Sequence, residues 1–360
     1  MKFNRYALSD LATIKYGKNQ KKVLSENGNI PIYGTGGLMG YATTALYDKP
    51  SVLIGRKGTI GKVKYVEHPF WTVDTLFYTI VNTDIVLPKY LYYVMSLIDL
   101  NNYNEGTTIP SLRTETLNRL EFDIPSLVEQ ETILSCLNPI DEKIALNNAI
   151  NNNLEQQAQA IFKSWFIDFE PFSNRKPSEW SVSTLGNVSI MGAGGDKPQN
   201  VSPIKTDLYE YPIYSNGLSN EGLYGFTDKP KISEESVTVS ARGTIGFVCL
   251  RHIPYVPIVR LVTLIPKTEI ISAKYLYLWL KQLHITGTGT TQQQLTVPDF
   301  QKTEILVPSQ EIVTLFTATV EPIFEKIWFN QNENEKLSSL RDTLLPKLMT
   351  GELDVSDTEI

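Results

Sequence analysis

Two short loops in this chain carry the residue types that hold phosphate, Gly55-Arg-Lys-Gly-Thr-Ile-Gly61 and Ala241-Arg-Gly-Thr-Ile-Gly246. Each places a cation, Lys57 or Arg242, directly before Gly-Thr-Ile-Gly, with the hydroxyl of Thr59 or Thr244 inside the loop. A cation beside glycine amides and a hydroxyl suits contact with phosphate. The alternative is a hairpin turn whose glycines serve backbone geometry and whose cation is merely solvated. A nucleotide-binding P-loop is excluded by spacing. Five residues separate Gly55 from Gly61-Lys62 where four are needed, Val63 replaces the required Ser or Thr, and the second copy has Phe247 instead of the lysine. Gly34-Thr-Gly36-Gly-Leu-Met-Gly40 likewise misses the dinucleotide spacing by one residue.

A second matched pair follows, Gly106-Thr107-Thr108-Ile-Pro-Ser-Leu-Arg113 and Gly289-Thr290-Thr291-Gln292-Gln293-Gln294-Leu295. Shared flanks enclose divergent centres, which is how one scaffold varies a readout surface. Gln and Arg pair bidentately with adenine and guanine edges, whereas the plainer reading is a polar helix start capped by threonine. No nucleophile elbow or Asn-Pro-Pro-aromatic motif is present. Cys136 and Cys249 sit among apolar neighbours, and His68, His252 and His284 share no ligand spacing, so neither a disulfide nor a metal site is expected.

The pairing of these loops is part of a repeat that spans nearly the whole chain. Pro31-Ile-Tyr33 returns as Pro212-Ile-Tyr214, Lys89-Tyr-Leu-Tyr92 as Lys274-Tyr-Leu-Tyr277, Ile124-Pro-Ser126 as Val307-Pro-Ser309, and Glu142-Lys-Ile144 as Glu325-Lys-Ile327, at offsets between 181 and 185. A period this long means duplicated domains rather than a solenoid of units about 20 to 50 residues long. The glycine loops are flanked by β-rich segments that read as hairpins, Lys89 to Ile98 and Lys274 to Leu283 read as short helices, and Leu120 to Ile124 alternates as a strand. Each repeat is therefore a mixed α/β block followed by a helical tail.

In the first tail Ile140, Ile144, Asn147, Asn151 and Leu154 fall on a heptad seam; adding 183 gives Ile323, Ile327, Asn330, Asn334 and Leu337 in the second. Matched asparagines in two seams point to mutual pairing, since buried Asn sets register and partner choice. If the second block is compact, its ends lie together, and antiparallel pairing follows. The expected architecture has blocks at 1–126 and 173–308, helices at 127–172 and 309–360 (the latter with the C-terminal tail), and a pseudo-twofold relation across a rod roughly 60 Å long for about 40 residues. The net charge of −6 resolves along these lines. The blocks hold 14 basic against 11 acidic residues and 13 against 11, while the helical stretches hold 2 against 7 and 4 against 10. A mildly basic surface is thus confined to the blocks. Neither a signal peptide nor an apolar run of membrane-spanning length is present, so a cytoplasmic protein is expected.

In these features the chain resembles the specificity subunits of Type I restriction-modification enzymes. Besides the paired loops and Gly106-Thr-Thr-Ile-Pro-Ser, the resemblance rests on Ala160-Ile-Phe-Lys-Ser-Trp-Phe-Ile-Asp-Phe169 and Leu340-Arg-Asp-Thr-Leu-Leu-Pro-Lys-Leu-Met-Thr-Gly-Glu-Leu353. It implies two target-recognition domains reading the halves of a split double-stranded DNA site, and helices that form an antiparallel coiled coil against which two methyltransferase subunits dock. Motor-nuclease subunits then join. The resemblance also implies no catalytic site or cofactor in this chain, with S-adenosylmethionine, ATP and magnesium on the partners. A related Type II-like system with one fused nuclease-methyltransferase partner is the neighbouring alternative.

Overall fold

The computed structural model describes residues 1–287 and 294–355. The chain divides into two compact units, 1–147 with 332–360, and 148–331.

In the first unit the strands are β1 (Asn4–Ala7), β2 (Ala12–Tyr16), β3 (Ile30–Gly34), β4 (Gly37–Ala42), β5 (Ser51–Gly55), β6 (Val63–Val66), β7 (Trp71–Thr72), β8 (Leu76–Val81) and β9 (Glu121–Ile124). Three sheets form, in the orders β1-β9, β2-β8-β5-β6 and β4-β3-β7. The short helices α1 (Leu8–Leu11), α2 (Pro88–Ser96) and α3 (Thr114–Asn118) complete the block. Alternation along β9 turns Phe122 and Ile124 inward and leaves Glu121 and Asp123 in solvent, so one apolar face packs and one polar face is hydrated. A long helix, α4 (Leu127–Phe166), then begins at a capping box. The Glu129 carboxylate accepts from the Ser126 backbone N–H at 2.9 Å, and that bond is the main cause holding its pKa below the ordinary carboxylate value.

The second unit repeats the plan with β10 (Ser181–Thr184), β11 (Ser189–Ala193), β12 (Tyr211–Tyr214), β13 (Leu223–Thr227), β14 (Ser236–Val239), β15 (Val248–Arg251), β16 (Val256–Pro257), β17 (Val262–Pro266) and β18 (Glu304–Val307). Its sheet orders, β10-β18, β11-β17-β14-β15 and β13-β12-β16, reproduce those of the first unit strand for strand. Helices α5 (Leu185–Val188), α6 (Ala273–Gln282) and α7 (Val297–Phe300) match α1 to α3, and α8 (Gln310–Thr350) matches α4. The mixed α/β blocks and two long helices expected from the sequence are present.

The first helix is shorter than the expected 127–172. It stops at Phe166 because Phe169, Ser173 and Asn174 adopt left-handed backbone, with only a 3-10 turn at Glu170–Phe172 between them. The helices also belong to the block cores. In the first unit Ile133, Leu137, Leu345 and Leu348 pack with Leu8, Phe77 and Tyr90; in the second Phe162, Phe166, Phe316 and Val320 pack with Leu185, Leu264 and Tyr275.

Within each unit the two helices run antiparallel. In the first unit Arg341 meets Asp141 at 3.1 Å and Asn147 meets Asn334 at 2.9 Å; in the second Asn330 meets Asn151 at 2.8 Å while Phe162 faces Phe316. The matched asparagines therefore pair with each other, the same contact made once per unit. Of the other seam residues, Ile140 and Ile327 are buried, and Ile144, Leu154, Ile323 and Leu337 are half-buried. Cys136 and Cys249 are free thiols, and burial pushes that of Cys249 up to about 12.

Candidate nucleic-acid interface

In each unit the Gly-Thr-Ile-Gly loop lies beside described residues of the second matched segment, far from it in sequence. In the first, the Gly58 N–H donates to the Pro110 carbonyl at 2.9 Å, the Leu112 N–H to the Arg56 carbonyl at 2.9 Å, and Lys57 bridges Ser111 as an isolated antiparallel pair. In the second, the Leu295 N–H donates to the Ala241 carbonyl at 3.0 Å, and Arg242 Nη2 donates to Gln294 Oε1 at 2.8 Å. β5 with β6 and β14 with β15 form the hairpins that present the Gly-Thr-Ile-Gly loops.

Lys57, Thr59, Thr107 and Thr108 are exposed on this edge, and so is Ile109 at 59%. Arg113 is exposed but ion-paired with Glu105 at 3.2 Å, so a base contact from it requires exchange of that partner. Gln294 is half-buried against Arg242. The expectation for Thr244 changes. Gly243 and Gly246 both take left-handed backbone, the Thr244 N–H folds back onto the Arg242 carbonyl, and its hydroxyl is buried with no partner among the described residues. It therefore offers no hydroxyl at the surface. Thr290, Thr291, Gln292 and Gln293 lie outside the described residues.

Further loops join the edge. Arg56 donates from Nη1 to the Asp74 carbonyl at 2.8 Å, and the Arg56 and Lys57 N–H groups both donate to the Thr75 carbonyl, which ties the turn before β8 to the glycine loop. At the same place in the second unit, Asn216 Nδ2 donates to the Val259 carbonyl at 2.6 Å while its Oδ1 accepts from the Ala241 N–H at 2.7 Å. Asn104 organises the Gly-Thr-Thr loop, its Oδ1 accepting from the N–H groups of Gly106 and Ser111, each at 2.9 Å. Sequence reading missed Arg56, Asn104 and Asn216. The Asn-x-Gly spacing at 104–106 was the one available signal, because an Asn side chain commonly binds the backbone two residues on.

Beneath each edge a cation stacks on the equivalent tyrosine. Lys64 Nζ lies 3.9 Å from the Tyr33 ring centre and Arg251 Cζ lies 3.6 Å from that of Tyr214. Arg251 is 3% exposed and is neutralised by Glu221 at 2.9 Å. Burial raises the pKa of Tyr214 and lowers that of Lys64. The sites share an architecture and differ in their polar groups. Among the described residues no group of His, Cys, Asp or Glu side chains converges as metal ligands, and no helix is long and apolar enough to cross a membrane.

A family model described as the Type I restriction modification DNA specificity domain matches residues 2–156 and again 177–339. The chain is 28% identical to the Type I restriction enzyme MjaIX specificity subunit of Methanocaldococcus jannaschii, over 87% of this chain and 79% of the relative. It is also 28% identical to the Type I restriction enzyme HindI specificity subunit of Haemophilus influenzae, over 81% and 84%. In fold it resembles the S subunit of a Type I restriction-modification system from M. genitalium, with a TM-score of 0.57 and 18% identity over 97% and 96% of the two chains. With two copies of the domain in tandem and a duplicated loop edge in the structure, the chain belongs to the Type I restriction-modification DNA specificity family.

Proposed function

We propose that this chain reads a split site on double-stranded DNA, one half through each loop edge, and does no chemistry itself. Its long helices seat two methyltransferase subunits, which motor-nuclease subunits join; S-adenosylmethionine, ATP and magnesium act on those partners, in the cytoplasm. The observation that carries this reading is the duplication of one exposed edge with a shared cation, Lys57 or Arg242, and divergent polar neighbours. Shared cations suit the phosphate backbone, which is common to all DNA, and divergent side chains suit base edges, which differ. Two equivalent docking surfaces are favoured by Leu146 and Phe329, which occupy the same place in the repeat and remain 54% and 59% exposed on helices that carry excess acid.

The test is to assemble the chain with its methyltransferase subunits and map the methylated sites in a randomised DNA library. Replacing residues 1–126 with the corresponding block of another specificity subunit is expected to change one half of the site and leave the other intact. A change in both halves, or methyl transfer by the isolated chain, would refute the reading.

A further inference from the structure

The turn between β16 and β17 has an unusual backbone. Val259 and Arg260 are consecutive non-glycine residues at φ +52° and +60°, both exposed. Left-handed backbone is costly for any residue with a Cβ and more so for a β-branched one, and it persists only where the surroundings enforce it. Those surroundings are visible. The Val259 and Arg260 N–H groups donate to the carbonyls of Gly195 and Gly194, each at 2.9 Å, and Asn216 Nδ2 holds the Val259 carbonyl at 2.6 Å. The same Asn216 holds the Ala241 N–H at the root of the Arg242 loop. One amide therefore fixes the Val259-Arg260 turn and the phosphate-type loop relative to each other.

The first unit shows what is constant and what varies. The turn at the equivalent place is Asp74-Thr75, where the Leu76 N–H donates to the Val73 carbonyl as the Leu261 N–H does to that of Ile258. Neither Asp74 nor Thr75 has positive φ. The tie to the Asp74 carbonyl comes from Arg56, whose place in the second unit is taken by Ala241. Ala241 has no side chain to reach with, and Asn216 supplies the bond from another loop. The carbonyl is held in both units while the residues on the turn change from Asp-Thr to Val-Arg. A cation common to both blocks does sequence-independent work; a group present in one block and held rigidly in strained backbone is suited to reading sequence. The Arg260 guanidinium is exposed and has no hydrogen-bond or ion-pair partner among the described residues. Its planar fork matches the O6 and N7 acceptors of guanine in the major groove.

We infer that Arg260 is a base-reading residue of the second block, specifying a guanine in one half-site, and that Asn216 is the positioning residue that aims it. This rests on the DNA-recognition reading above. The test uses the full chain assembled with its methyltransferase subunits, bound to a library randomised over both half-sites. Arg260→Ala is expected to relax one position of one half-site, with about a 5- to 150-fold loss of preference for guanine there, the range for a good bidentate pair. Arg260→Lys retains the charge but not the fork, and is expected to relax the same position while leaving the salt dependence of binding unchanged. Asn216→Asp keeps the acceptor for Ala241 and loses the donor to Val259; it is expected to relax that same position and no other. A wild-type complex that selects no sequence would overturn the DNA-recognition reading itself. A wild-type complex that selects a split site, with Arg260→Ala retaining the full guanine preference, would overturn only the assignment of Arg260. Uniform weakening on all sequences by Arg260→Ala, with a salt slope lower by about one, would make Arg260 a phosphate contact and likewise overturn it.

Discussion

The asparagine pairs between the long helices allow a subtraction that isolates one interaction. Asn147 and Asn330 hold equivalent places, are each 1% exposed, and each has a buried Oδ1 with no hydrogen-bond partner among the described residues. Each also donates to an asparagine of the facing helix, at 2.9 Å and 2.8 Å. Truncating either to alanine therefore removes the same side chain, the same orphaned oxygen and the same neutral hydrogen bond. What remains in the difference is the second bond of Asn147, to Glu333 Oε2 at 2.7 Å. A hydrogen bond to a charged group contributes about 1.5 to 3 kcal/mol. The Glu333 side chain is 33% exposed, so solvent reduces this to about 1 to 2 kcal/mol. Asn147→Ala is thus expected to lower the opening free energy of the helix amides around it by that much more than Asn330→Ala does around residue 330, as read by native-state hydrogen exchange. In a Glu333→Gln background the excess should shrink, because the acceptor loses its charge. Equal effects of the two truncations, or an excess that survives Glu333→Gln undiminished, would refute the account.

Lys57→Ala and Arg242→Ala are each expected to weaken DNA binding of the assembled complex equally on all sequences and to reduce the salt slope of log affinity by about one, measured by titration at several salt concentrations. Gly106→Ala should disrupt the Gly-Thr-Thr loop and reduce DNA affinity, since a Cβ there would lie 1.9 Å from the Ile109 carbonyl oxygen; unchanged affinity would contradict that packing. His252 stacks on Trp328 with ring centres 4.1 Å apart, and desolvation there, aided by Lys274 and Arg251, lowers its pKa to about 4 although part of the residue remains exposed. The unfolded chain, near 6.5, takes up the proton first, so stability should fall as pH drops from about 6.5 towards 4. His252→Gln should flatten that part of the thermal-unfolding profile.

The duplication, the mixed α/β character of the blocks, the two long helices and the seam asparagines that pair are all legible in the amino-acid order. These are written in local spacing: identical residues at a fixed offset, a period of two in Leu120 to Ile124, heptads from Ile140 to Leu154. Antiparallel helix direction also followed, because a compact second block returns the chain to where it began. How the loops combine emerges from the folded chain alone. The Gly58 to Pro110 bond, the Arg56 tie to Asp74 and the Asn216 tie to Val259 join residues 18 to 52 positions apart, through contacts that leave no periodic trace. Tertiary structure also turned the Thr244 hydroxyl inward, gave Arg113 an acidic partner and divided each long helix between two compact units. The physical reason is the same in each case. A helix or strand is specified by the side chains along it, whereas a loop's shape and the partners of its polar groups are specified by whatever other segments the fold brings within hydrogen-bonding distance.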